Sequence, residues 1–151
     1  MCGRFSFAYE DFSAIIEHFR IGRMTESYES RWNIAPSQPI PAVLADGSGR
    51  RFGSLKWGLL PAAWNGGGPK PINTRVETIQ RNPVFRNLLQ RRRVILPTTA
   101  LDVWLDRTVS DYDQLMQLLK PYPEDDMEWY EVSPMVGNVR NDVPECVLPL
   151  N

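Results

Sequence analysis

IPAVLADGSG, residues 40–49, decides the fold of this chain, because an apolar run from Ile40 to Ala45 ends in a glycine-rich turn. An apolar run of this length bounded by turn residues predicts a β-strand, and residues 51–60 continue as the second strand of a hairpin. Along the rest of the chain short strands mix with short helices, without βαβ alternation. This pattern predicts an α+β fold rather than a doubly wound parallel sheet.

Apolar spacing predicts a helix ahead of the hairpin. Four apolar residues between Phe12 and Phe19 fall at i, i+3, i+4 and i+7, which predicts a helix over residues 11–19. His18 lies off that stripe, so we expect it to be solvent-exposed and not catalytic. The same reasoning gives further helices and extended segments: helices over 83–90, 100–104 and 112–119, and extended segments over 2–7, 72–76 and 94–96.

Composition predicts one soluble, intracellular domain over residues 1–151. The chain has 42% hydrophobic residues, no long apolar run and no signal-peptide h-region. Its two cysteines, Cys2 and Cys146, have no framework spacing, which argues against a disulfide scaffold. We expect Cys146 to be a packing residue or to have no particular role. With His18 as its one histidine, the sequence shows no zinc spacing. We therefore expect no metal, no cofactor and no membrane partner.

Charge is distributed unevenly along the chain. Residues 1–93 hold 14 Lys and Arg against 7 Asp and Glu, whereas residues 94–151 hold 3 against 11. A basic half suits a polyanion such as nucleic acid. Scattered solvated charge on an amphoteric surface is the alternative interpretation.

Cys2 is the leading candidate for covalent chemistry. Removal of Met1 would place a thiol and a free α-amine on this one residue. The amine condenses with an aldehyde to an imine, and the thiol then closes a thiazolidine ring. The two groups titrate near ~8 and ~8.5, so both reactive forms are accessible near neutral pH. A small buried cysteine near the terminus is the alternative.

Several motifs stand in an order that resembles one family. In chain order they are Met1-Cys2-Gly3-Arg4-Phe5, Trp32-Asn33-Ile34-Ala35-Pro36-Ser37-Gln38, Leu55-Lys56-Trp57-Gly58-Leu59-Leu60-Pro61, Ile72-Asn73-Thr74-Arg75-Val76-Glu77-Thr78, Phe85-Arg86 with Arg91-Arg92-Arg93, Leu119-Lys120-Pro121-Tyr122-Pro123, and the closing Val132-Ser133-Pro134, Asn138 and Arg140-Asn141-Asp142. Together these motifs resemble the SOS-response-associated peptidase (SRAP) family of abasic-site shielding proteins. The match runs nearly end to end.

The resemblance implies a mostly antiparallel, β-barrel-like α+β fold with short peripheral helices. It also implies binding of single-stranded DNA, with the N-terminal cysteine forming a thiazolidine cross-link to the ring-opened aldehyde of an abasic site. The peptidase name reflects proposed removal of residues ahead of the cysteine, here Met1 alone. A role in the DNA damage (SOS) response and a cytoplasmic, nucleoid-associated location would follow.

The chain departs from the family pattern after Arg93. Family members follow the basic run with a glutamate motif, several strands and a histidine motif. Here Arg93 joins directly to Val94-Ile95-Leu96-Pro97, so a central block of strands is predicted to be missing. Aligning residues 97–104 with the glutamate motif instead would put Val103 at the glutamate position. In both alignments no catalytic histidine carries over.

The resemblance implies catalytic roles for Cys2 and Asn73. Cys2 would be the nucleophile, and Asn73 would orient the reacting sugar by donating to the hydroxyl released on ring opening. Arg75, in the same motif, would bind phosphate. The alternatives are a turn residue after Pro71 for Asn73 and a surface ion pair with Glu77 for Arg75.

The remaining candidates would form the DNA-binding surface. Trp57, and less directly Trp32, would stack on bases, although packing in the core is the alternative for an isolated tryptophan. Asn33 and Pro36 would shape the turn that lines the cleft, or serve turn chemistry alone. The residues predicted to follow the DNA backbone are Arg4, Arg86, Arg91, Arg92 and Arg93.

Three hypotheses about function follow. The first is a covalent abasic-site sensor with impaired catalysis. Glu77, Asp102 and Glu128 are candidates to replace the missing acid-base groups, but none of them stands at a position that the family motif assigns. The second is a non-catalytic remnant that binds single-stranded DNA. The third is a thiol-dependent self-processing peptidase, which the basic half disfavours because such a protein needs no basic cleft.

Overall fold

A computed structural model of the chain describes residues 3–60, 70–82, 85, 101–106, 108–120 and 123–150. The described residues fall into two compact units. The first comprises residues 3–59 and 128–150, and the second lies within residues 60–127. The prediction of one domain over residues 1–151 stays a prediction.

The first unit contains the strands described in the structure, in two small sheets. The strands are β1 (Phe5–Phe7), β2 (Arg23–Met24), β3 (Arg31–Ile34), β4 (Pro39–Asp46) and β5 (Gly49–Lys56). In the first sheet β1 pairs antiparallel with β3. The second sheet has the order β2-β5-β4, with β2 parallel and β4 antiparallel to β5.

The predicted hairpin is confirmed as β4 and β5. The two strands pair without a register shift from Pro39 opposite Lys56 to Asp46 opposite Gly49. Gly49 has φ of +109°, a conformation that glycine adopts without steric cost. Pro41 lacks an N–H to donate, and it is tolerated because β4 lies at the edge of the described sheet.

The first helix, α1 (Ser13–Phe19), packs the predicted apolar stripe against the hairpin. Just before the helix, Asp11 accepts a 2.8 Å hydrogen bond from the N–H of Ser13, the first helical residue. Arg20 ends the helix in the left-handed conformation, with φ of 51°. The buried residues of this core are Ile15, Ile21 and Phe52, with Phe7, Phe12, Ile16, Phe19, Tyr28 and Val43 packed around them.

The C-terminal segment completes the first unit without forming a regular strand. It contains two short 3-10 turns, Pro134–Gly137 and Pro144–Cys146, and a single antiparallel bridge from Val132 to Pro149. Cys146 is fully buried, and its Sγ lies 3.5 Å from the Asn141 carbonyl oxygen. The prediction that Cys146 is a packing residue is confirmed.

The described residues of the second unit include the short helices α2 (Val76–Ile79), α3 (Leu101–Leu105) and α4 (Tyr112–Gln117), and a 3-10 turn over Glu124–Asp126. One residue from each helix is buried in a shared core, namely Ile79, Trp104 and Leu115. Asp111 caps α4 by accepting hydrogen bonds from two backbone N–H groups in the first turn. The helices predicted over 100–104 and 112–119 are confirmed with small shifts of their ends.

The α+β prediction is confirmed, and three narrower expectations have other outcomes. Among the described residues the strands form no closed barrel. Of the segment predicted to be extended over 72–76, residues 72–75 belong to no strand in the described part of the chain, and Val76 begins α2. The segments predicted over 83–90 and 94–96 lie outside the described residues, except Phe85.

Candidate functional site

Arg4 and Asn33 meet at the junction of β1, β3 and the C-terminal segment. The Arg4 guanidinium donates from Nη1 to Asn33 Oδ1 at 2.6 Å and to the Val136 carbonyl at 2.7 Å. Its Nη2 donates to the Gly137 carbonyl at 3.1 Å. All three acceptors are neutral oxygens, and none of them is a carboxylate.

Asn33 is the buried centre of this network, with none of its surface exposed. Its Nδ2 group faces three backbone carbonyl oxygens, those of Val136 at 3.0 Å, Asn138 at 3.1 Å and Asn141 at 2.7 Å. A buried amide whose donors and acceptor are all satisfied fixes the backbone around it. Asn33 therefore ties the C-terminal segment to β3 and, through Arg4, to the start of β1.

Asp142 also ties the C-terminal segment to β3. One carboxylate oxygen accepts from the backbone N–H groups of Trp32 at 2.6 Å and Asn33 at 2.9 Å. The other accepts from Arg31 Nε. Burial would raise the pKa of Asp142, but hydrogen bonds from the Arg31 side chain and from the two backbone N–H groups outweigh burial and lower it.

This lowered pKa predicts a loss of stability in acid. A carboxyl whose pKa is lower in the folded than in the unfolded chain stabilises the fold above its unfolded pKa of ~3.9. That contribution is lost as the pH falls below this value and through the folded pKa of Asp142. We expect chemical denaturation of the Asp142→Asn variant to show a weaker dependence on pH in this range than the wild type. Equal dependence in both proteins would contradict the assignment.

Trp57 and Pro36 flank the same end of the hairpin. The Trp57 ring is half-buried and packs edge-on against Phe5, with ring centroids 5.5 Å apart. Its carbonyl accepts a 2.8 Å hydrogen bond from the Ser37 N–H, directly after Pro36. The structure thus brings together four of the predicted site residues, Arg4, Asn33, Pro36 and Trp57, around the β1–β3 pair and the start of β4.

Asn73 and Arg75 lie in the second unit, immediately before α2. Asn73 is partly buried and Arg75 is exposed. Arg75 has an extended backbone and stands at the N-terminal boundary of α2, where Thr78 donates to its carbonyl oxygen. Their predicted roles toward the sugar and the phosphate stay predictions.

Five predicted site residues lie outside the described residues: Cys2, Arg86, Arg91, Arg92 and Arg93. Among the described candidates for a substitute acid-base group, Glu77, Asp102 and Glu128 are all exposed. His18 is exposed as predicted, with its ring edge-on to Phe19. Its expected lack of a catalytic role stays a prediction.

The described part of the chain has neither a metal-binding cluster nor a membrane-spanning helix. No group of three or more His, Cys, Asp or Glu side chains in this part of the chain is arranged to hold a metal ion. No helix within the same ranges is long and apolar enough to cross a bilayer.

Sequence reasoning did not assign Asp142, Val136 or Asn141 to the site. Asn141 and Asp142 stand in a motif that resembles the family, and this was the available signal. Asn141 contributes its backbone carbonyl, and Asp142 accepts from backbone N–H groups. Both contacts join residues more than 100 places apart in the chain. Such contacts leave no local pattern in the sequence.

Comparison of the whole sequence with models of known protein families identifies the family of this chain. A family model described as SOS response associated peptidase (SRAP) matches residues 1–101 and 94–139. The chain belongs to the SRAP family. The two matched segments overlap at residues 94–101, directly after the predicted junction at Arg93.

Two relatives show how the chain differs in length. It is 29% identical over 222 residues to the abasic site processing protein YoqW of Bacillus subtilis (strain 168), covering 97% of this chain and 99% of YoqW. Because this chain has 151 residues, that alignment leaves about 75 positions of YoqW without a counterpart. The abasic site processing protein YoaM of the same organism is 43% identical over 108 residues, which cover 69% of this chain and 47% of YoaM. The junction after Arg93 stays a prediction.

Proposed function

We propose that this SRAP protein binds single-stranded DNA and attaches covalently to abasic sites through Cys2, shielding them during the DNA damage response. The observation that carries the proposal is a cysteine directly after Met1 in a chain of the SRAP family. The relatives' name, abasic site processing protein, supports the same substrate class. The barrel-like closure that the family resemblance implies is part of the proposal.

The proposed reaction needs no cofactor. After removal of Met1, the Cys2 amine attacks the aldehyde of the ring-opened sugar and forms an imine with loss of one water. The thiolate then adds to the imine carbon, and the ring nitrogen takes up a proton, which closes the thiazolidine. Asn73 would donate to the hydroxyl that ring opening releases, and Arg75 would bind a phosphate.

The Arg4–Asn33 network supports this role by fixing the origin of the reactive terminus. Cys2 precedes Arg4 by two residues, and two residues span at most about 7 Å. The guanidinium of Arg4 is held by Asn33 and two carbonyls of the C-terminal segment. Cys2 would therefore stay close to the anchored Arg4, and this restricted position favours reaction with a bound aldehyde.

Catalysis by this chain would be slower than in relatives that keep the family's glutamate and histidine. A positioned general acid or base contributes about 10²–10⁴-fold to rate. The capture of an aldehyde by an N-terminal cysteine is intrinsic to its amine and thiol, so the adduct would still form.

The second candidate function is non-covalent binding of single-stranded DNA. The basic balance of residues 1–93 favours it, because phosphate neutralisation requires positive charge and no nucleophile. A self-processing peptidase, the third hypothesis, would act on Met1 without any DNA.

One experiment separates these functions. The protein is incubated with single-stranded DNA carrying one abasic site, and with the same strand undamaged. Each reaction is run on a native gel, which detects binding, and on a denaturing gel, which detects covalent attachment. We expect a heat-stable, slower-migrating species with the abasic strand alone. Binding to both strands without that species would leave the non-covalent function, and no binding to either strand would leave the peptidase.

A further inference from the structure

The turn end of the β4–β5 hairpin carries a concentration of arginines that the proposed function does not use. A shallow depression of about 240 Å³ opens there, and its lining residues are Gly22, Arg23, Ser48, Gly49, Arg50 and Arg51. The parallel pairing of β2 with β5 sets Arg23 directly opposite Arg51. The fold therefore brings these arginines together from separate parts of the sequence.

A single carboxylate is shared between two of these arginines. Arg23 Nη2 and Arg51 Nε both contact Asp46 Oδ2, at 3.3 and 3.4 Å. The other oxygen, Oδ1, accepts from the N–H of Ser48 at 2.9 Å and from its hydroxyl at 2.5 Å. The hydrogen bonds from Ser48, with the nearby charges of Arg23 and Arg51, lower the pKa of Asp46, so it is ionised at neutral pH.

The lining of the depression is positively charged, since it includes Arg23, Arg50 and Arg51 and no carboxylate. Asp46, beside it, contacts the side chains of Arg23 and Arg51. Arg50 is oriented by a 3.1 Å hydrogen bond from its Nη1 to the Phe19 carbonyl. The Arg23 side chain is 57% exposed and the Arg51 side chain 32%, so both can reach a ligand from solvent.

We propose that this depression binds a backbone phosphate of single-stranded DNA, at a subsite separate from the abasic site. A guanidinium presents paired N–H donors that match phosphate oxygens, and two arginines on neighbouring strands can hold one phosphate together. This inference rests on the proposed function for the identity of the nucleic acid. Free inorganic phosphate offers the same chemistry, and the test distinguishes the two.

The subsite lies far from the Trp57 end of the hairpin. Trp57 follows β5 at the end where Pro39 begins β4, and Asp46 ends β4 at the depression. Seven residue steps along a strand span about 23 Å. A strand of several nucleotides would cover that distance, so the subsite would strengthen binding to longer DNA without touching the abasic sugar.

The test measures binding of a fluorescent, undamaged oligothymidylate at several salt concentrations. The double variant Arg23→Gln/Arg51→Gln should bind about fivefold more weakly. Its slope of log affinity against log salt should be shallower by about 0.7, as expected for one lost phosphate contact with a single strand. Asp46→Asn removes the competing carboxylate and keeps an Oδ1 acceptor for Ser48, so it should bind about threefold more tightly. Arg81→Gln, at an exposed arginine outside the motifs that resemble the family, is the matched control and should change neither quantity.

Opposite effects at Arg23/Arg51 and Asp46 would support the subsite. Wild-type affinity and slope in both variants would overturn it, even if every protein still forms the abasic adduct, so the two proposals fail separately. NMR of the arginine side chains, titrated with inorganic phosphate, separates the sources. Saturable shifts of Arg23 and Arg51 with phosphate, and none with the oligonucleotide, would overturn the assignment to DNA.

Discussion

Replacing Cys2 by alanine is expected to abolish the heat-stable adduct with abasic single-stranded DNA. Alanine keeps the α-amine, which can still form an imine, but it removes the thiol that closes the ring. An imine hydrolyses during denaturation, whereas a thiazolidine persists. The measurement is the fraction of labelled abasic strand that migrates slowly on a denaturing gel, which should fall from most of the DNA to background.

Cys2→Ser serves as the matched control for size and polarity. Both variants should yield a covalent species when borohydride is added, because reduction traps the imine that their amine still forms. Without borohydride neither should give an adduct. A heat-stable adduct in the alanine variant, formed at the wild-type rate, would show that another nucleophile captures the aldehyde.

Truncating Asn33 to alanine is expected to destabilise the first unit by about 3 kcal/mol. The variant leaves the Arg4 guanidinium without its 2.6 Å acceptor, and it removes the amide donor that faces the carbonyls of Val136 and Asn141. For a chain of this length that loss corresponds to a fall in Tm of about 10 °C. Thermal denaturation followed by circular dichroism measures it.

Asn138→Ala is the matched control, because Asn138 is exposed and its side chain accepts one hydrogen bond, from the Arg140 N–H. It should lower stability by less than about 1 kcal/mol. A similar small loss in Asn33→Ala would mean that the Asn33 network does not hold the C-terminal segment against β3.

The parts of the fold that local pattern could predict are the hairpin and α1. An apolar run ending in Asp46-Gly47-Ser48-Gly49 specifies a turn and its flanking strands through local chemistry. The stripe from Phe12 to Phe19 likewise specifies a helix through spacing alone. In both cases the structure differs from the prediction by only a few residues at the ends.

Local sequence pattern could not predict how the strands pair or where the C-terminal segment lies. β2 has two residues, Arg23 and Met24, too few to show alternation, and it pairs with β5 because Gly22 and Thr25 bond to the β5 backbone on either side. The segment after Val132 is held mainly by side-chain bonds to β3 rather than by regular strand pairing. Its position depends on residues over 100 places earlier in the chain.

For the candidate site, the sequence predicted which residues lie there better than it predicted what each of them does. Arg4 and Asn33 were both predicted as site residues, and the structure brings them into one network. Asn33 is fully buried and bonds to Arg4 and to the C-terminal segment, whereas its predicted part in shaping a cleft-lining turn stays a prediction. The contribution of Asp142 was not predicted because a carboxylate acting on backbone N–H groups has no sequence signature of its own.

The most direct test of the central claim is the mass of the adduct and the position of its attachment. The protein is reacted with an abasic single strand, the intact complex is weighed, and its proteolytic fragments are sequenced by mass spectrometry. We expect a mass equal to the DNA plus the protein without Met1, less one water, with the modification on Cys2. A modification on any other residue, or a complex that retains Met1, would contradict covalent capture by an N-terminal cysteine.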